Sequence, residues 1–198
     1  MTLTLPWMSR ADRRRWTSAR TITDLGNLMA LWLEGEIASR PGYAARYGPD
    51  EETEHLVPTL ASLCRAGYVT TQSQPGFAGP GANGLWWEQR AGVELVLADP
   101  ELLPRLVDAA AGMFVRVNDY RPGGIQDEPV IVTTCDGEPF TSFAGRISRG
   151  DMAVQWPDLN RGLYDQVAHG THVSIIAPEY GPAGERLWGL LDVLPAVN

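Results

Sequence analysis

Between Glu52 and Gly76 the chain gathers side chains suited to holding a small polar molecule. Thr70, Thr71, Gln72, Ser73 and Gln74 follow one another directly after an apolar segment, and Pro75-Gly76 closes the run. A strand edge of this composition beside a loop offers hydroxyls and amides to a metabolite. It serves equally as a solvated edge, and the residue types alone favour neither. The sequence gives little support to covalent or metal chemistry. His169 and His172 form an H-x-x-H, but no third ligand follows at a familiar spacing, and zinc sites use three or four. No metal is expected. All sixteen cationic residues are Arg, so a lysine Schiff base or lysine general base is excluded. The nucleophile elbow, the P-loop and the dinucleotide fingerprint are all missing.

Cys64 and Cys135 lie far apart and suggest no disulfide framework. Cys64 falls on the apolar stripe of a predicted helix, which makes it a buried, inert thiol. A net charge of −8 and a pI near 4.8 argue against nucleic-acid binding, which needs clustered cations. The local run Arg10, Arg13, Arg14 and Arg15 reads as a solvated helix face. No apolar run approaches the roughly 18 residues that span a bilayer, and Met1 to Pro6 is too short for a signal sequence. The expectation is a cytoplasmic protein without membrane contact. The many Ala, Gly and Pro and the missing Lys suggest a GC-rich, bacterial genome.

The elements that would position the polar run follow from periodicity. Residues 1–22 read as an N-terminal arm carrying Trp7 and Trp16, aromatic anchors for the body or for a second subunit. Leu25, Leu28, Met29, Trp32, Leu33 and Ile37 share one face of a helix predicted over 23–39, ended by Pro41-Gly42. A second helical segment opens at Pro49-Asp50 and stops at Gly67, with Pro58 marking either a kink or a restart. Strands are expected at 68–71, 85–97, 113–120, 129–134, 140–143 and 172–177, the fourth and fifth flanking an Asp136-Gly137 turn. Helices are expected at 100–112, 158–168 and 183–193. Of Trp86-Trp87, alternation sends one ring inward and the other outward. With 44% apolar residues in 198, the class is α/β (mixed α+β), one domain over 23–198 with a mixed sheet flanked by helices.

Beyond these patterns, an ordered series of segments resembles the C-terminal regulatory domain of eukaryotic methylenetetrahydrofolate reductase. That family reads roughly P-E-T-S, a helix, then N-R-x-G-x-L-T-I-N-S-Q-P. Here Glu52-Thr53-Glu54 is followed at the same spacing by Arg65-Ala66-Gly67-Tyr68-Val69-Thr70-Thr71-Gln72-Ser73-Gln74-Pro75. The likeness continues through Gln89-Arg90-Ala91 to Val96, Arg116-Val117-Asn118-Asp119-Tyr120, and Arg186-Leu187-Trp188 with Asp192.

The resemblance implies a domain that binds S-adenosylmethionine or S-adenosylhomocysteine. It implies ligand contacts from Glu52, Thr53, Thr70 and Ser73, and more loosely from Thr141 in Thr141-Ser142-Phe143. An acidic group near the sulfonium would favour the methylated form. The family's aromatic residue after Q-K-A is Gly92 here, and the loop after Ser73 is shorter. The reductase barrel and its flavin site have no counterpart, so no flavin and no folate reduction are expected. Three functions stay open: a stand-alone sensor acting on a protein partner or as a homodimer, an enzyme using the ligand for methyl transfer, and an interaction module that has lost it.

Overall fold

The computed structural model describes residues 8–143, 149–157 and 159–195. Its N-terminal element is a helix, α1 (Arg10–Ser18), where the sequence suggests an arm. Ser9 caps it by accepting from the Asp12 amide. Its four arginines are exposed, and Trp16 is its one buried apolar side chain, fully buried with Nε1 donating to Ser39 O at 2.8 Å. Trp16 therefore docks on the body; Trp7 lies outside the described residues.

α2 (Ile22–Leu33) starts at a capping box, in which Thr21 and Asp24 each satisfy the other's backbone amide. Its last helical residue is Leu33, six residues before the predicted end, because Gly35 takes φ +81° and turns the chain out of the helix. Ile37 keeps the apolar spacing and stays buried, although it is no longer helical. An irregular stretch over 34–50 leads to a 3₁₀ turn, Glu51–Leu56, and then to α3 (Val57–Arg65). Pro58 sits in the first turn of α3, where a missing amide costs nothing, so it marks a restart and not a kink.

The strands are β1 (Tyr68–Gln74), β2 (Phe77–Pro80), β3 (Trp86–Leu97), β4 (Phe114–Asp119), β5 (Val130–Cys135), β6 (Glu138–Phe143) and β7 (Thr171–Tyr180). Between them run α4 (Leu103–Ala109), α5 (Arg149–Gln155), α6 (Arg161–Ala168) and, after β7, α7 (Arg186–Asp192). Asn160 caps α6; Asp158, where that helix is predicted to start, lies outside the described residues. The class is mixed α+β in a single domain, and the described strand pairs are antiparallel throughout.

β3 is the spine. Its C-terminal half pairs with β1 on one side and β7 on the other, and its N-terminal half pairs with β2 and β5. β7 carries β4 and β5 carries β6, so the sheet forks along β3 near Ala91. Gln74 bridges the fork: its amide donates to Arg90 O at 2.9 Å and to Val132 O at 3.2 Å. The β5–β6 hairpin turns on Asp136 and Gly137, both at positive φ, the geometry of a two-residue I′ turn. Leu25, Leu63, Val69, Val93, Ile175 and Leu187 join helices and sheet in the main core.

His172 on β7 is buried, with Nε2 donating to Val167 O at 2.7 Å and its ring edge-on to Tyr120. Burial holds its pKa below 6.5, against the raising effect of that hydrogen bond. The unfolded chain therefore takes up a proton near pH 6.5 that the folded chain refuses. Stability is complete above that pH and falls below it, by at most about 1.4 kcal/mol per pH unit from this group. Urea titrations between pH 7.5 and 5 should show this slope, and His172→Phe should flatten it.

Candidate functional site

The irregular stretch after α2 folds back over β1 and encloses a cavity of about 260 Å³. Met29, Trp32 and Leu33 of α2 line one side; Thr70, Thr71, Gln72 and Ser73 of β1 line another. Arg40, Tyr43, Pro49 and Asp50 come from the irregular stretch, Thr53 and Leu60 from the segment after it, and Gln155 from α5. The β1 wall is irregular because Thr71 is bulged between Thr70 and Gln72, with its hydroxyl donating to Glu94 O at 3.2 Å.

Of the five residues expected from the sequence, Thr53, Thr70 and Ser73 line this cavity. Thr53 donates its hydroxyl to Asp50 O at 2.8 Å, and the Thr70 hydroxyl lies 3.3 Å from Cys64 Sγ. The Ser73 hydroxyl is half-buried and has no partner among the described residues. Cys64 is buried as expected, and burial pushes its thiol pKa up.

Glu52 lies elsewhere. It lines a second, more open recess of about 410 Å³ with Phe77, Gly81, Ala82, Asn83, Trp87 and Gln89. The 3₁₀ turn forms the partition, with Thr53 facing one recess and Glu52 the other. Desolvation, and then the neighbouring charge of Asp50, raise the Glu52 pKa although the residue remains exposed. Thr141 is exposed on β6, across from Thr133, and lines neither recess. Trp87 packs edge-on against Phe140 at 4.7 Å and donates to Asn83 Oδ1 at 3.1 Å, while Trp86 is the more exposed of the pair.

Sequence patterns do not reveal the cavity's strongest electrostatic feature. The Arg40 guanidinium carbon lies 5.2 Å from the ring of Trp32, 5.6 Å from Tyr43 and 5.2 Å from Trp156. Its Nε is shut off from solvent without a hydrogen-bond partner, and no described carboxylate pairs with the guanidinium. Desolvation lowers the Arg40 pKa below its usual value. Gln155 Oε1, on the same lining, is likewise buried and unbonded. Tyr43 donates to Asp50 Oδ1 at 2.8 Å; burial, then that bond, push its pKa up to about 12. Tyr43 therefore stays a neutral donor across the physiological range.

His169 and His172 do not converge. His169 Nδ1 lies 2.8 Å from Asp165 O, and the described residues include no cluster of three metal-ligating side chains. No described helix is long and apolar enough to cross a membrane.

The arrangement offers a half-enclosed recess with aromatic walls, hydroxyls along β1 and a guanidinium that no described carboxylate pairs. A sequence model for a family described as "Domain of unknown function (DUF6919)" matches residues 11–196. No curated protein matches the sequence.

Proposed function

The chain belongs to the DUF6919 family, and we propose that it is a cytoplasmic protein that binds S-adenosylmethionine or S-adenosylhomocysteine and acts as a sensor. The observation that carries this reading is the gathering of Thr53, Thr70 and Ser73 on one cavity beside Trp32 and Tyr43. These are three of the five positions the regulatory-domain resemblance selects; Glu52 and Thr141 lie outside this cavity. At about 260 Å³ the cavity is slightly smaller than the roughly 300–1,000 Å³ of typical ligand clefts. A contact from Glu52, whose carboxylate would favour the sulfonium form, requires the rest of the ligand to reach around the 3₁₀ turn into the second recess.

Thermal denaturation with each ligand tests the reading. A hundredfold excess over the dissociation constant should add about 2.7 kcal/mol of stability. Glu52→Ala should weaken S-adenosylmethionine binding by about 10- to 150-fold, the equivalent of one charge-assisted hydrogen bond. A sensor leaves the ligand unchanged after prolonged incubation. Accumulation of the demethylated product with an acceptor present would replace the sensor reading with methyl transfer, and no shift with either ligand would leave an interaction module.

A further inference from the structure

We propose that the cavity receives the α-amino-acid end of its ligand, with Arg40 as the carboxylate anchor. The inference deepens the nucleoside-binding reading by assigning which end of the molecule enters the cavity. Two orphaned polar groups carry it.

Arg40 is held between aromatic rings with Nε unbonded, and among the described residues its guanidinium has no acceptor. A half-buried guanidinium whose Nε is cut off from water and unbonded carries a desolvation cost, and cation–π contacts of about 0.5–2 kcal/mol each offset only part of it. A planar carboxylate is the partner that a guanidinium fork matches best. The second orphan is Gln155 Oε1, an acceptor on the same lining. Asp50, which already accepts from Tyr43, adds a negative charge to that lining. Acceptors for an ammonium group therefore share a cavity with a donor for a carboxylate. That combination fits a zwitterion better than a phosphate, which Asp50 would repel. An adenine alone would leave Arg40 unpaired.

The test compares ligands by calorimetry on the full chain. S-adenosylhomocysteine carries the carboxylate and ammonium; 5′-methylthioadenosine keeps the nucleoside and thioether but lacks both. The expected result is that S-adenosylhomocysteine binds at least about 10- to 150-fold more tightly, the range of one charge-assisted contact. Arg40→Met should bring the two ligands to within a few-fold of each other. This comparison within the parent protein needs no variant, so it stands even if Arg40→Met fails to fold.

Equal affinity for both ligands in the parent would overturn the inference and leave the nucleoside reading intact. If neither nucleoside binds, titration with free L-methionine separates the two claims. Binding lost in Arg40→Met would keep the amino-acid site and remove the nucleoside reading. No binding would remove both.

Discussion

Trp16→Ala should lower the unfolding free energy by about 3–5 kcal/mol, the range for emptying a large aromatic site in a core. The indole is fully buried, its ring centroid lies 6.5 Å from that of Trp156, and it is the one large apolar group holding α1 to the body. Truncation also leaves Ser39 O without the indole donor. In a domain of this size the loss corresponds to a fall in melting temperature of about 6–20 °C. Trp16→Phe keeps most of the volume and chiefly strands the Ser39 carbonyl, a loss of about 1–3 kcal/mol. Scanning calorimetry on the two variants separates packing from hydrogen bonding. If α1 were a loosely attached arm, both variants would melt with the parent.

The second large effect is expected at Gly26, in the middle of α2. Replacing glycine by alanine inside a helix ordinarily gains up to about 1 kcal/mol. Here a Cβ would stand 2.3 Å from Cys64 O and 3.0 Å from Val69 Cγ2. The first contact is with α3 backbone, which cannot swing aside as a flexible side chain would. Separating α2 from α3 and β1 costs about 1–3 kcal/mol by the usual scale of overpacking, and so outweighs the propensity gain. Gly26→Ala should therefore destabilise in chemical denaturation. The same exchange at Gly189 of α7, where nothing lies within 4 Å, should be neutral or stabilising.

These two sites also indicate where sequence patterns stop being informative. β3 is legible from its aromatic start and Val/Leu-rich end, and the β5–β6 hairpin because a β-branched run and Asp136-Gly137 encode it locally. α1 is only half legible: its arginine run reads as a solvated helix face, but RADRRRWTS offers a single apolar anchor and so no 3.6-residue period to set its bounds. β2 is hidden by its brevity and its proline; its pairing depends on the long N-terminal half of β3. α2 is overextended because Ile37 continues the spacing, and only the backbone conformation of Gly35 reveals the stop.

The site divides in the same way. Thr70 and Ser73 are legible on β1, and Thr53 on the turn before it. Arg40, Tyr43 and Asp50 lie in an irregular stretch with no periodicity to flag them. They matter because the fold brings Trp32, Tyr43 and Trp156 around one guanidinium from three separate segments. The partition that puts Glu52 in a different recess from Ser73 is equally invisible to spacing, since consecutive residues of a 3₁₀ turn face different ways.

The most direct measurement is a calorimetric titration of S-adenosylhomocysteine into the parent protein and into Ser73→Phe, which places a ring in the cavity next to β1. Saturable binding of one molecule per chain by the parent, and no binding by a variant with an unchanged melting temperature, is the predicted result. Absence of binding to the parent, or equal affinity for both proteins, would contradict the claim that this cavity receives the ligand.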